Sequence, residues 1–148
     1  MDRFEDWQQP EIEDGVPTRW GWMVSHPEYF TLGRNTDIGF GTYIGAHDGV
    51  EIRNNCQIGG GCKIYSRSTI DGEHGAVIIR KGACVGANSV VMPDVIIGEN
   101  SIVGALSLVK SGTRIPANET WVGIPAKKVP RRPRGSNIGD MANANTVL

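Results

Sequence analysis

An aliphatic residue returns at every sixth position through most of this 148-residue sequence. Counting back from Trp121, the steps of six run without a break to Ile79, jump nine residues to Ile70, and later jump eight between Ile52 and Ile44. A period of six fits neither a helix nor a simple alternating strand, and it indicates a short strand followed by a corner. The register comprises Leu32, Ile38, Ile44, Ile52, Ile58, Ile64, Ile70, Ile79, Val85, Val91, Ile97, Val103, Val109, Ile115 and Trp121.

The residues between these aliphatic positions suit tight corners. Three positions after the aliphatic residue, ten of the six-residue units carry Gly, Asn or Asp, which tolerate a positive φ better than other residues. A small residue follows in most units. Three units then make one coil, and successive coils stack as parallel strands about 4.8 Å apart. We therefore predict an all-β triangular prism of about five coils over residues 32–129.

Three residues break the corner pattern: His47, Arg67 and Leu106. When the three faces are assigned in order along the register, these residues and Asn88 are predicted to form one column along one edge of the prism. Positions at which a locally consistent pattern fails are expected to serve function. Asp48, beside His47, also breaks the small-residue pattern. The predicted substrate-binding residues are Asp48, Arg67, Asp71 and Asn88.

The repeat resembles that of the hexapeptide-repeat acyltransferases, of the sugar and polysaccharide acetyltransferase type. Its last part, "GALSLVKSGTRIPANETWVGIPAKKV", is similar to the terminal signature of that family, in which a final coil is followed by Gly-x-Pro-Ala-Lys. The resemblance implies a left-handed parallel β-helix and a homotrimer. It also implies transfer of an acetyl group from acetyl-CoA, as co-substrate, to a hydroxyl or amino group of a sugar or nucleotide-linked sugar.

A strip of small residues is predicted on one outer surface, beside the edge that carries His47, where a long thin ligand could lie against the backbone. Beyond the strip, two lysines could hold phosphates electrostatically. The resemblance implies that coenzyme A binds here, whereas the alternative is that these are only corner glycines and a solvated basic tail. The residues implied are Gly86, Ala87, Gly104, Ala105, Gly123, Pro125, Ala126, Lys127 and Lys128.

His47 and His74 are the candidate general bases, because histidine can accept a hydroxyl proton near neutral pH. His47 lies in a two-residue insertion and His74 in a three-residue insertion, and either could instead be an ordinary loop histidine. The two insertions are predicted at different corners, roughly 15 to 20 Å apart, so that they would meet only across a subunit interface. His26 precedes the repeat and is expected to be structural.

The sequence departs from the resembled family at one informative place. Many sugar O-acetyltransferases of this type carry His-Pro shortly after a stretch like "IYSRS", where this chain has Thr69 and Ile70. If neither His47 nor His74 acts as a base, an amine acceptor becomes more plausible. Two other functions remain open, namely a non-enzymatic trimeric assembly module and a carbonic anhydrase-like enzyme with three histidines on zinc, although no metal is expected.

Residues 1–31 are predicted to cap the open end of the first coil, and residues 130–148 to form a basic, disordered tail. The chain has no signal-like N-terminus and no apolar run long enough to span a bilayer, so we expect a cytoplasmic protein without membrane insertion. A net charge of −1 gives no sign of a nucleic-acid partner. Cys56 and Cys62 occupy small-residue positions and are expected to be packing groups.

Overall fold

The aliphatic repeat lines the inside of three β-sheets, and each sheet takes every third strand of the chain. The structure is a computed structural model that describes residues 5–131. The first sheet contains β1 (Met23–Ser25), β4 (Tyr43–Gly45), β7 (Lys63–Tyr65), β10 (Val90–Val91) and β13 (Leu108–Val109). The second contains β2 (Phe30–Leu32), β5 (Val50–Ile52), β8 (Val77–Ile79), β11 (Ile96–Ile97) and β14 (Arg114–Ile115). The third contains β3 (Asp37–Ile38), β6 (Gln57–Ile58), β9 (Cys84–Val85), β12 (Ile102–Val103), β15 (Thr120–Gly123) and β16 (Ala126–Val129).

These sheets form a left-handed parallel β-helix of about five turns, as predicted. All strand pairs within the coils are parallel, and only β15 and β16 pair antiparallel, at the last coil. One aliphatic side chain from each strand lies over that of the coil below, and burial of this stack stabilises the fold. Its fully buried members include Ile44, Ile52, Ile64, Ile79, Val91, Ile97, Val103 and Val109.

The small residues at the corners are buried beside this stack, as the pattern indicated. Cys56 and Cys62 are both inaccessible to solvent, and burial raises the pKa of the Cys56 thiol to about 11. Ser89 Oγ donates to the carbonyl oxygen of Gly104 at 3.0 Å and accepts from the Ser107 amide at 3.3 Å. The two cysteines are therefore packing groups, and the serines also link one coil to the next.

Ile70 was predicted to occupy a core position, and this prediction is wrong. Its side chain is 97% exposed, and β7 pairs directly with β10. The chain between β7 and β8 leaves the prism as a hairpin, residues 66–75. Within it Ser68 donates its amide to the Glu73 carbonyl at 2.8 Å, and Gly75 donates to the Ser66 carbonyl at 2.9 Å. Every later strand is consequently shifted by one face relative to the prediction.

This shift divides the predicted column of irregular corner residues between two corners. His47 and Arg67 follow β4 and β7, and therefore lie at the corner after the first sheet. Asn88 and Leu106 follow β9 and β12, and lie at the corner after the third sheet. The prediction of one column is thus wrong. We call residues 45–49 and 66–75 the histidine corner, and residues 59–61, 86–88 and 104–106 the glycine corner.

Residues 5–22 precede the first strand and contact the first coil. Trp22 is only 3% exposed and belongs to the core, and the Thr18 amide donates to its carbonyl at 2.8 Å. Trp7 Nε1 donates to the carbonyl of Thr36 at 2.9 Å, which ties the cap to the corner between β2 and β3. Residues 23–31, which the sequence analysis grouped with the cap, supply β1, the 3-10 turn Pro27–Tyr29 and the start of β2. The predicted disordered tail lies outside the described residues beyond Arg131.

Candidate functional site

Two loops meet at the histidine corner, and hydrogen bonds fix them to each other. The His47 loop is closed by a hydrogen bond from the Gly49 amide to the Ala46 carbonyl at 3.0 Å. Ser66 Oγ accepts from the Asp48 amide at 2.9 Å and donates to the carbonyl of Gly45 at 2.7 Å. Ser66 is fully buried, so the base of the hairpin holds the His47 loop in one place.

Asp48 and Arg67 form a bidentate ion pair across the two loops. Arg67 Nε lies 2.7 Å from Asp48 Oδ2, and Arg67 Nη2 lies 3.0 Å from Asp48 Oδ1. The hydrogen bond from Arg67 lowers the pKa of the Asp48 carboxyl below its usual value; partial burial opposes this, and the charges of Arg67, His74 and His47 add to the lowering. Asp48 is therefore a carboxylate at neutral pH. It pairs directly with Arg67, and His47 and His74 lie nearby.

His47 and His74 lie at the same corner of one subunit, and the prediction that they are separated is wrong. The hairpin turns back on itself so that His74 forms an antiparallel bridge with Arg67. A surface cavity of about 410 Å³ opens between the two loops. It is lined by Asp48, Arg67, Ser68, Thr69, Gly72 and His74. A carboxylate, a guanidinium and an imidazole thus face one concave surface in a single chain.

His26 also belongs to this corner, although the sequence analysis expected only a structural role for it. Its ring centroid lies 3.9 Å from that of His47, with an angle of 74° between the ring planes. A signal for this contact was present in the sequence, because Val24 precedes Ile44 by the same interval of twenty residues that separates Ile44 from Ile64. Extending the register to Val24 would have placed His26 one coil below the His47 loop.

Asp71, a predicted substrate-binding residue, has a structural partner in the hairpin. Its Oδ1 accepts the Glu73 amide at 3.1 Å, and this hydrogen bond, followed by one from Ser68, lowers the pKa of the Asp71 carboxyl. Asn88 lies away from the cavity, at the glycine corner, where its side chain is stacked over Gly61. Of the predicted substrate-binding residues, the structure brings Asp48, Arg67 and Asp71 to the histidine corner, and Asn88 to another corner.

The predicted strip of small residues exists, and coil stacking accounts for its glycines. A Cβ on Gly86 would lie 2.3 Å from the backbone nitrogen of Ala105, and one on Gly104 would lie 2.3 Å from the Val122 side chain. Gly59 extends the strip one coil further, since a Cβ there would approach the backbone of Ala87 to 2.4 Å. The strip lies along the glycine corner and not beside His47, so the expected adjacency within one chain is wrong.

The two lysines of the terminal signature point to opposite sides of the β15–β16 ribbon. Lys127 pairs with Val122, on the side of the strip. Lys128 Nζ lies 3.3 Å from Glu119 Oε2, and Glu119 also accepts a hydrogen bond from Trp121 Nε1 at 3.0 Å. The Trp121 hydrogen bond, followed by the contribution of Lys128, lowers the pKa of the Glu119 carboxyl. Lys127 is therefore better placed than Lys128 to meet a ligand on the strip.

The remaining residues of the predicted coenzyme A surface lie around the turn between β15 and β16. Gly123 pairs with Ala126 at the end of the ribbon, and the Gly123 amide donates to Ser107 Oγ at 3.1 Å. Ala126 is buried, whereas Ile124 is exposed at the tip of the turn. This turn closes the upper end of the strip.

Comparison with known proteins agrees with this architecture. Residues 76–111 match the model of the bacterial transferase hexapeptide family, which is described by six repeats. Residues 76–111 therefore carry the hexapeptide repeat of that family. The chain is 35% identical over 126 residues to the carnitine operon protein CaiE of Escherichia coli, a match that takes in 70% of this chain and 62% of CaiE. The chain therefore spans less than two thirds of the length of that relative.

Two solved structures illustrate the similarity in fold. A hexapeptide-repeat acetyltransferase of Vibrio cholerae, VCA0836, solved with acetyl coenzyme A, superposes with a TM-score of 0.69 at 21% identity, over 74% of this chain and 63% of that one. AntD, an N-acyltransferase from Bacillus cereus, was solved as a point mutant with dTDP and coenzyme A, and it gives a TM-score of 0.61 at 23% identity, over 86% and 84% of the two chains. At these identities the likeness concerns the fold.

Across residues 5–131, no group of three or more His, Cys, Asp or Glu side chains is arranged to hold a metal ion. In the same part of the chain, no helix has both the length and the apolar character needed to cross a bilayer.

Proposed function

We propose that the protein is a cytoplasmic, homotrimeric acyltransferase that transfers an acetyl group from acetyl-CoA to a hydroxyl or amino group of a sugar or nucleotide-linked sugar. The observation that carries this proposal is the histidine corner, where His47, Asp48, Arg67 and His74 meet on a hexapeptide-repeat β-helix. The solved neighbours with bound acetyl coenzyme A, or with dTDP and coenzyme A, support both the donor and a nucleotide-linked acceptor.

In the proposed reaction, His47 is the general base and the cavity beside it binds the acceptor. The acceptor oxygen attacks the thioester carbonyl carbon while His47 takes its proton, and the carbon–sulfur bond then breaks as the thiolate leaves and is protonated. The neighbouring Asp48 carboxylate places a negative charge at the same corner. Arg67 keeps Asp48 in place, and His74, in the cavity wall, contacts the acceptor. An amine acceptor would have less need of the base.

Acetyl-CoA is proposed to lie along the glycine corner, with its pantetheine arm over Gly86, Ala87, Gly104 and Ala105. A surface without bulky side chains lets a thin ligand approach the backbone closely. Lys127, on the strip side of the ribbon, is proposed to meet the phosphates. Because the strip and the histidine corner are different corners of one prism, a complete site on this proposal uses two subunits. This supports an oligomer, and the homotrimer is what the resemblance to the hexapeptide-repeat acyltransferases implies.

The test is acetyl-CoA turnover over a panel of sugar hydroxyl and amino acceptors, including nucleotide-linked amino sugars. We expect His47→Gln to lower kcat at least about a hundredfold with a hydroxyl acceptor, and Arg67→Gln to lower it as well. Arg53→Gln is a matched control, because Arg53 forms a similar ion pair with Glu51, at 3.0 Å, away from the histidine corner. Turnover that is unchanged in both His47→Gln and His74→Gln would reject the base. Absence of both turnover and coenzyme A binding in the wild type would reject the enzyme and favour the assembly module.

A further inference from the structure

We infer that His26 is a positioning residue that holds the imidazole of His47 in its working orientation. The inference rests on the proposed role of His47 as the base. It gives the N-terminal segment a part in catalysis that the sequence analysis did not foresee.

The contact between the two histidine rings is close and well oriented. Their centroids are 3.9 Å apart, and the planes are inclined by 74°, so that the edge of one ring meets the face of the other. Both side chains are only partly exposed, His26 at 38%. A ring packed in this way restricts the side-chain rotation of His47, which the short His47 loop does not restrict by itself.

The backbone of His26 is held in a left-handed conformation that residues other than glycine seldom adopt. His26 has φ 59° and ψ 57°, in the left-handed region, where most corner residues of this chain are Asn, Asp or Gly. Asp14 Oδ1 accepts the His26 amide at 3.1 Å, and the His26 carbonyl accepts the Tyr29 amide at 3.0 Å. The cap and the 3-10 turn therefore fix where the ring of His26 lies.

The resulting chain of contacts runs from the cap to the candidate base. Asp14 fixes the backbone of His26, His26 packs against His47, and the next residue, Asp48, is fixed by Ser66 and Arg67. A general base is most effective when its orientation is fixed before the substrate binds, because a side chain in a misaligned rotamer cannot take the proton. His26 supplies that constraint for the ring itself, and Asp48 supplies it for the backbone.

Two substitutions of His26 separate ring packing from other roles. His26→Asn keeps a residue that tolerates the left-handed backbone but removes the ring, and we expect kcat to fall about tenfold while KM for acetyl-CoA stays within about twofold. His26→Phe restores a ring of similar shape without its nitrogens and is expected to recover kcat to within about threefold of the wild type. A wild-type kcat in His26→Asn would overturn the inference. So would a kcat as low as that of His26→Asn in a His26→Phe protein that unfolds at the same temperature as the wild type, which shows that the left-handed backbone is retained.

A spectroscopic measurement keeps this test independent of the proposed reaction. In the folded full-length protein, the imidazole C–H resonances of His47, assigned with His47→Gln, should show cross-relaxation with the His26 ring. The ring at position 26 should displace the chemical shifts of these His47 resonances through its ring current. This displacement should be lost in His26→Asn and retained in His26→Phe. Unchanged His47 resonances in His26→Asn would overturn the inference even if the wild type transferred no acetyl group, whereas absent transfer with the expected resonances would reject only the proposed function.

Discussion

Asp48 is the residue through which the two loops of the histidine corner are joined. Its backbone amide is bound by Ser66 and its carboxylate by Arg67, so both partners come from the hairpin of residues 66–75. Because Arg67 is an exposed side chain that can exchange its partner for water, the ion pair matters more for local geometry than for global stability. The effect of this ion pair on the pH dependence of stability follows from the lowered pKa of the Asp48 carboxyl.

Replacing Asp48 by Asn should destabilise the protein at neutral pH but not in strong acid. The folded protein lowers the pKa of Asp48, so the carboxylate contributes stability above its unfolded value and loses it as the pH falls through the folded value. Thermal unfolding of wild type and Asp48→Asn between about pH 2 and pH 7 would measure this. Curves that stay equally far apart at both ends of that range would contradict it.

Leu106 has a positive φ of 59° that a leucine seldom adopts, and its side chain is 67% exposed. Leu106→Asn should raise the free energy of unfolding by about 1 kcal/mol, since asparagine tolerates this backbone conformation and little apolar burial is lost. Urea denaturation would measure the change. The control is Leu106→Ala, which shortens the same side chain without relieving the backbone and should give no such gain.

At the scale of elements, the hairpin of residues 66–75 separates β7 from β8 along the chain but does not interrupt strand pairing in the sheets. Ile64 remains buried in β7, whereas Ile70, six residues later, is at the exposed tip of the hairpin. Ile64→Ala should therefore lower the free energy of unfolding by about 3 kcal/mol, because it leaves a cavity in a close-packed stack. Denaturant titration provides the measurement.

Ile70→Ala is the matched control for that experiment, since the residue types are identical and only burial differs. It should leave stability within about 0.5 kcal/mol of the wild type. A large loss of stability on changing Ile70 would show that it belongs to a coil, as the uninterrupted count of six had suggested.

The sequence predicted the coils well and the histidine corner only in part, for a physical reason. Every coil packs in the same way, so the pattern of aliphatic and corner residues that specifies one coil recurs along the sequence. The loop of residues 66–75 occurs only once, so its sequence has no repeat to reveal it. Ile70 lies six residues after Ile64 by coincidence. Counting Ile70 as a coil position assigned every later residue to the wrong face. It also predicted different corners for His47 and His74, which lie at the same corner in the structure.

Over the whole molecule, stability depends on closing the ends of a stack whose coils contact only their neighbours. At the first coil this is done by Trp22, which is almost fully buried against the aliphatic core and contacts the ring of Phe30 edge-to-face. Strand edges left open there would offer a surface for self-association.

Trp22→Ala should lower the free energy of unfolding by about 3 kcal/mol and increase aggregation, because it removes a large and almost fully buried apolar group at that end. The comparison is Trp20→Ala, at a tryptophan 41% exposed in the same segment, which should have a much smaller effect. Calorimetry combined with light scattering measures both quantities. Equal losses in the two variants would argue against an end-closing role for Trp22.

The direct pairing of β7 with β10 has a consequence for how such proteins can diversify. In the described part of the chain, residues 67–74 take no part in the backbone hydrogen bonds between neighbouring coils. That segment can therefore be lengthened, shortened or exchanged without changing the register of the strands around it. Recognition of a new acceptor could then be acquired by grafting one loop, while the remainder of the molecule stays unaltered.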